Sequence, residues 1–360
     1  MKQLTDIAKA LSRPILRNKR SAQSGLTLIE LMIALVLGLI IVAGVIQLFL
    51  SSKQAYRLQE SMSRVQETGR YALEVMSRDI RQAGYKGGCG RDVPVNIILD
   101  ETDSSYEPLA LDLNQPIVGW DGEAGDISGQ LSDYVPGTDV VIVKHAATDA
   151  NVSASGNTPA NAANINLTGE SGIPKGTIIV VGDAQACDLF QNASNANANN
   201  LNRGAPGNHK PGNKKAGDVN FSKSYSGDLH IRSFASTAYY IGTRDDGSRA
   251  LYRLAYSMGT ASDDLNPQVL APNVLDMQLF YGIDTNGNFR IDEYEEADNV
   301  TDWNAVRSVR IALLTVGTDD QVLDKPAKIA FSGGTFSAPS DDRRLYQAFT
   351  TTIAIRNQLP

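Results

Sequence analysis

The stretch "QSGLTLIELMIALVLGLIIVAGVIQLFL", residues 23–50, contains a single charged side chain, that of Glu30, near the start of an otherwise apolar run. From Leu26 to Leu50 the run is 25 residues long. At ~1.5 Å per residue, a helix of that length crosses the ~30 Å hydrocarbon layer of a bilayer. Carboxylates are costly and rare at membrane depth. Glu30 therefore needs a functional explanation.

The charges of the chain are unevenly distributed. Six basic residues and one acid in residues 1–25 give +5, so the net charge of −7 leaves −12 for the remainder. A basic segment before an apolar run places the N-terminus of that run in the cytoplasm. We therefore expect a single-pass inner-membrane protein with an acidic periplasmic part. Such an acidic surface attracts nucleic acid poorly, and we predict no specific nucleic-acid partner.

The position of Gly25 distinguishes this N-terminus from a secretory signal peptide. A signal peptide has a shorter apolar core, and its small-residue cleavage site follows that core. Here Gly25 precedes the apolar run. Cleavage after Gly25 would remove the basic leader and create a new amine on Leu26. Glu30 would then lie one helical turn away on the same face.

This arrangement, "SGLTLIELMIAL" at residues 24–35, resembles the motif of type IV prepilins: a basic leader, a glycine, a hydrophobic residue and a glutamate four places on. One departure is Leu26, where phenylalanine is commoner. The resemblance implies that a prepilin peptidase and methylase cleaves after Gly25 and methylates Leu26. It also implies that Glu30 neutralises the buried amine when helices bundle. The alternative is a glutamate that reaches the lipid headgroups.

The helix is predicted to continue beyond the membrane, because no proline occurs between Pro14 and Pro94. "AGYKGGCG" then ends it around Gly84. Apolar residues at steps of about three and four predict one buried stripe. Its members are Met62, Val65, Ala72, Leu73, Met76 and Ile80.

Beyond the helix, segments rich in β-branched and aromatic residues predict strands. They are residues 138–146, 176–183, 228–242, 249–257, 274–284, 307–317 and 347–357. "RDDGS" at residues 244–248 reads as a hairpin turn between two of them. We therefore predict an α+β fold, in which a long N-terminal transmembrane and amphipathic α-helix packs on a mostly antiparallel β-sheet.

The predicted organisation has four parts. Residues 1–25 are a leader that is removed, 26–50 the transmembrane half of the helix, 51–84 its amphipathic half, and 85–360 a periplasmic β-rich domain. Long Asn- and Gly-rich loops are expected near 147–170 and 185–220, where they would be either functional or mobile. The second contains a basic cluster, which either touches DNA or an acidic partner or is simply a solvated surface loop. Its members are His209, Lys210, Lys214 and Lys215.

Cys89 and Cys187 are the two cysteines of the chain. In an oxidising compartment, two cysteines are most simply read as one disulfide. The alternative is a pair of unpaired, buried thiols.

Further stretches resemble the PilW group of minor pilins. They are "SRDIRQAGYKGGCG" (77–90), "YGIDTNGNFRIDEYEE" (281–296) and "FTTTIAIRNQ" (349–358). The resemblance implies a structural protein of the complex that initiates pilus assembly and caps the tip. Its partners would be other minor pilins and the major pilin, through the N-terminal helix, and a tip adhesin. Alternatives are a J-type minor pseudopilin of type II secretion, usually much shorter, and a membrane-anchored adhesive module.

The segment "DTNGNFRIDEYE" has the ligand spacing of an EF-hand calcium loop. Oxygen-bearing side chains stand at Asp284, Asn286, Asn288, Asp292 and Glu295. However, Phe289 occupies the place where such loops usually have glycine, since the backbone there takes a positive φ. The alternative is an acidic turn between strands. We expect no required cofactor and no enzymatic activity, because the three histidines lack metal-ligand spacing and no nucleophile motif is present.

Overall fold

The computed structural model describes residues 25–215, 217–227, 229–259 and 265–359. Its longest element is helix α1, Leu28–Gln82, of 55 residues. The helix begins after Thr27, whose side-chain oxygen accepts a hydrogen bond from the Glu30 N–H. It ends just before Gly84, which has a φ of +73°, a conformation that glycine adopts readily at helix ends. The predicted helix is thus confirmed, with bounds within two residues.

Contacts divide the chain into two units, Met1–Tyr56 and Arg57–Pro360. In the first unit, all described residues up to Lys53 are exposed along α1. By length and composition, α1 can cross a membrane. The large side chains of this segment, such as Leu28 at 78 % exposure, have no apolar cover from the described residues. An apolar surface of that extent requires lipid or other apolar helices around it.

The second unit is built mainly from β-strands. In chain order, the strands of the described residues are β1 (Val95–Ile97), β2 (Ile117–Trp120), β3 (Val140–Asp149), β4 (Asn164–Asn166), β5 (Ile178–Asp183), β6 (Ala186–Gln191), β7 (Asn200–Asn202), β8 (His230–Thr243), β9 (Arg249–Ala255), β10 (Gln268–Pro272), β11 (Val274–Ile283), β12 (Glu293–Glu295), β13 (Val306–Val316), β14 (Lys328–Phe331), β15 (Gly334–Ser337) and β16 (Tyr346–Ala354). All seven predicted strands are among them.

The strands form two larger sheets. One has the order β1-β6-β5-β8-β3-β2, and β9 and β10 extend it from β8. The other has the order β12-β11-β13-β16. Of the pairings between described strands, β1 with β6 is parallel and the rest are antiparallel. The predicted α+β class with a mostly antiparallel sheet is therefore confirmed, although the strands are shared between more than one sheet.

One face of α1 packs into the main hydrophobic core. Ala72, Met76 and Ile80 are fully buried there, together with side chains from both larger sheets. Successive side chains of a strand point to opposite faces of its sheet. On β3, Val141 therefore lies in this core, and its neighbour Ile142 lies in a second hydrophobic core. The predicted stripe is wrong at its first residue. Met62 is 46 % exposed and does not belong to the core.

Asp139 connects the two larger sheets. Its backbone N–H donates to the carbonyl of Met277, and its Oδ2 accepts a 2.6 Å hydrogen bond from the N–H of Leu279. Burial, together with the neighbouring carboxylate of Asp121, raises the pKa of Asp139 to about 8. The acid therefore belongs to the packed interior and not to the exposed acidic surface.

The segments predicted as irregular contain ordered structure, which corrects that prediction. Residues 147–170 include β4, and residues 185–220 include β7 and the fully buried β6. Arg203 organises the Asn-rich part from the interior. It is fully buried, and it donates hydrogen bonds to the carbonyls of Ala162 and Val219. The Asn- and Gly-rich composition of these segments does not show the pattern of a strand, because their polar residues form hydrogen bonds with residues that are distant in the sequence.

Gly69 provides a test of the packing of α1 on the second sheet. A Cβ at this position would clash with the ring of Phe349 on β16. We expect Gly69→Ala to lower the free energy of unfolding by about 1–3 kcal/mol, because overpacking outweighs the gain in helix propensity. Chemical denaturation of the full chain in detergent measures this change.

Gly44→Ala is the matched control. Its new Cβ would meet no described atom within 4 Å. Equal effects of the two substitutions on the free energy of unfolding would contradict the close approach at Gly69.

Candidate functional site

The first turn of α1 contains a capping arrangement. Thr27 precedes the helix, and its Oγ1 accepts a 3.3 Å hydrogen bond from the N–H of Glu30, three residues on. Threonine followed by glutamate at this spacing is the sequence signature of a capping box. The carboxylate also lies at the positive end of the helix dipole, where a negative charge is favourable. Thr27 is thus a functional residue that the prepilin motif alone did not reveal.

The predicted processing site lies immediately before this turn. Gly25 and Leu26 precede Thr27, and Leu26 is 73 % exposed. An amine created on Leu26 would stand beside the unpaired N–H groups of the first turn, which already carry partial positive charge. The negative charge of the Glu30 carboxylate would offset the charge of the amine and the partial charges of these N–H groups. Residues 1–24 of the predicted leader lie outside the described residues.

Cys89 and Cys187 form a disulfide, as predicted, with their Cα atoms 5.6 Å apart. The bond joins the segment that follows α1 to β6 in the first sheet. Because the two cysteines are 98 positions apart in the sequence, the bond closes a long loop in the unfolded chain. In the chain-entropy model, closing a loop of roughly a hundred residues stabilises the folded protein by about 4.7 kcal/mol.

We therefore expect reduction of this disulfide to lower the melting temperature of the protein, without loss of the fold at low temperature. The measurement is thermal unfolding of the full chain with and without a reductant. The double variant Cys89→Ser/Cys187→Ser is the control, since its melting temperature should match that of the reduced protein and should not respond to reductant. An unchanged melting temperature of the reduced wild-type chain would contradict the pairing.

The predicted calcium loop follows β11. Asp284 is buried, and its Oδ1 accepts hydrogen bonds from the N–H groups of Gly287 and Asn288, while Oδ2 accepts one from Phe289. Phe289 has a φ of +62°, so the loop takes the backbone turn that calcium loops make with glycine. Asp292 closes the loop by accepting hydrogen bonds from Thr285 and Asn286.

The positive charge nearest to Asp284 comes from the chain itself. Arg307 Nη2 lies 3.2 Å from Asp284 Oδ2, in an ion pair whose carboxylate has no exposed surface. Burial alone would raise the pKa of Asp284, but the loop N–H groups and Arg307 outweigh it and hold the pKa below its ordinary value. Glu295 lies on β12, in register with Tyr281. A cation would have to compete with Arg307 for Asp284.

Calcium binding by this loop stays a prediction. Within the described ranges, no three His, Cys, Asp or Glu side chains are grouped so that they could hold a metal ion. If the loop binds calcium, about 1 mM calcium should raise the melting temperature of the wild-type chain, and it should raise the melting temperature of Asn288→Ala by less. The absence of any shift in the wild-type chain would contradict it.

Two lysines of the basic cluster of residues 209–215 form ion pairs with acids of the same chain. Lys210 Nζ lies 2.6 Å from Asp103, and Lys214 Nζ lies 2.7 Å from Glu101. These pairs favour the interpretation of a solvated surface. Among the histidines, His145 is buried on β3, with its Nε2 4.0 Å from Asp79 of α1. Asp79 also accepts a hydrogen bond from the Tyr239 hydroxyl, so this group ties α1 to the first sheet.

Two family models match the chain. The model described as "Type IV Pilus-assembly protein W" matches residues 238–357, about a third of the chain, from the middle of β8 to just beyond β16. The model described as "Prokaryotic N-terminal methylation motif" matches residues 20–46, which include Gly25, Leu26 and Glu30. Over these two segments the chain is similar to PilW-family type IV pilins. No curated protein and no solved structure matches it significantly.

These matches support a minor-pilin role in type IV pilus assembly, and the PilW family is a structural family, not an enzyme family. They imply contact with other pilus components and with the machinery that processes prepilins. The methylation motif and the apolar start of α1 together indicate a membrane-anchored pilin. The match to a pilus-assembly family favours the pilus over the type II secretion alternative.

Proposed function

We propose that this protein is a minor pilin that helps to initiate type IV pilus assembly and takes part in the complex at the pilus tip. Prepilin peptidase would cleave it between Gly25 and Leu26 and methylate the new N-terminus. Before assembly the protein would lie in the inner membrane with its β-rich unit in the periplasm. Twitching motility, adhesion and DNA uptake would be consequences of assembly.

The observation that carries this proposal is the conjunction of Glu30 with the exposed apolar start of α1. All side chains between residues 28 and 50 are exposed, so other apolar helices or lipid must cover them. When helices replace lipid and water around Leu26, its amine loses hydration, and burying an unpaired charge costs several kcal/mol. A carboxylate on the same or a neighbouring subunit removes that cost by pairing with the amine.

Glu30→Gln tests the proposal because it removes the charge and keeps a side chain that can complete the capping box. We expect normal cleavage after Gly25 but at least tenfold less of the variant in sheared pili, since several kcal/mol of pairing energy is lost. Quantitative immunoblots of the membrane and sheared fractions measure this ratio.

Thr27→Ala is the matched control, because it weakens the cap by about 1 kcal/mol and leaves the carboxylate in place. It should enter pili nearly as well as the wild-type chain. If Glu30→Gln entered pili normally, the proposed role of the charge would be wrong. If both variants failed equally, the cap and not the charge would be the requirement.

A further inference from the structure

Most edge strands of the sheets are protected against pairing with other chains. An edge strand presents a row of unpaired N–H and C=O groups, and proteins blunt it by shortness, charge, proline or bulges. Among the described strands, β1 and β12 are three residues long, and β2 is four. The β10 edge contains Pro272 and an irregular register between Val269 and Ala271.

Strand β16 lacks every one of these protections. It forms the end of the second sheet, where it pairs with β13 alone. Its nine residues, "YQAFTTTIA", include no charged residue, proline or glycine. Its register with β13 is continuous from Tyr346 opposite Val316 to Ala354 opposite Ser308. A long, regular and uncharged edge of this kind is a template for strand pairing.

The hydrogen-bond pattern shows which groups face outward. The N–H of Ile355 donates to the carbonyl of Arg307, so that position faces β13. In an antiparallel pair, alternate residues face the partner strand. The backbone groups of Thr350, Thr352 and Ala354 therefore point away from β13, and all three residues are exposed. No backbone hydrogen bond from another described segment reaches them.

The two neighbours of β16 leave this half of the edge open. At its start, the β14–β15 hairpin packs on the strand, with the rings of Phe336 and Tyr346 5.1 Å apart. Helix α1 covers one face, where Gly69 meets the ring of Phe349. The open part of the edge is thus residues 350–354, which we call the β16 edge.

We propose that the β16 edge binds an extended, uncharged segment of a different protein, which adds to the second sheet as a fifth strand. When a strand is added to a sheet, the backbone hydrogen bonds supply the affinity, and every second side chain of the added strand contributes to the specificity. Since β16 carries no charged residue that could pair with a charge on the added strand, an uncharged segment complements this edge best. Thr350 and Thr352 would pack against β-branched side chains across the new pair.

A second copy of this chain fits less well. Its own free edge at β12 carries Glu293 and Glu295 and is only three residues long. Its β16 could pair in the antiparallel direction with β16 of the first copy. In each copy, however, β16 runs in the same direction as the adjacent part of α1. Phe349 packs on Gly69, and the Asn357 side chain donates to the carbonyls of Gln82 and Ala83. Antiparallel pairing would reverse one α1 relative to the other, whereas two copies anchored as proposed above must point the same way.

The test places a photo-crosslinking amino acid at Thr350 of the full chain in cells and identifies crosslinked peptides by mass spectrometry. It compares Thr352→Pro, which removes an outward N–H and keeps the bonds to β13, with Thr352→Ala, which keeps that N–H. We expect a crosslink to an uncharged segment of a different protein, unchanged in Thr352→Ala and at least tenfold weaker in Thr352→Pro.

A crosslink of equal strength in both variants, to a charged segment, or to a second copy would overturn the proposal, and so would the absence of any crosslink. Resistance to proteolysis verifies that Thr352→Pro is folded. If it is not, Thr352→Lys replaces it, because a charge on the edge should also weaken the crosslink tenfold. Only the exclusion of a second copy as the partner rests on the proposed function. Since the crosslink is read in the membrane fraction, its loss is distinguishable from failure to enter pili.

Discussion

The fold of residues 57–359 depends on the burial of one face of α1 against side chains from both larger sheets. Ala72, Met76 and Ile80 have no exposed surface, and removing this face would open the main core along its length. Around this contact, polar interactions fix the position of the helix: Asp79 pairs with Tyr239 near His145, and Asn357 binds the last carbonyls of α1. The disulfide then ties the segment after the helix to β6.

The same helix meets a different requirement at its start. Every described residue up to Lys53 is exposed, and nearly all of them are apolar after Glu30. Such a surface is stable only in lipid or among similar helices. The capping pair of Thr27 and Glu30 satisfies the first turn, and the carboxylate can also compensate an amine on Leu26. One glutamate can therefore serve both the helix and its assembly.

The sequence predicted those parts of the fold in which local pattern and burial agree. The helix, its ending at Gly84 and all seven predicted strands were found, because 3.6-residue and two-residue periodicities mark surfaces that pack against one core. The capping box was also visible as threonine and glutamate three residues apart. Its signature coincides with the prepilin motif, which by itself accounts for a glutamate at this position.

The parts that sequence could not predict depend on distant partners. Strand β6 contains Asp188 and Gln191, which are buried because Tyr225, Ser222 and Met258 satisfy them. Such polar residues break the apolar pattern of a strand. Met62 continues the apolar pattern, but the buried face of α1 runs through its neighbour Ser61 and through Val65, so Met62 lies on the exposed side of the helix. The pairing of Asp284 with Arg307 likewise joins residues 23 positions apart, which no local motif reveals.

The central claim, that this chain is a processed pilin, is tested most directly by the intact mass and N-terminal chemistry of the protein recovered from sheared pili. The account predicts a chain that begins with N-methylated Leu26 and is present in the pilus fraction. A chain that still begins with Met1 and occurs only in the inner membrane would contradict it. Glu30 would then be a residue at the lipid boundary.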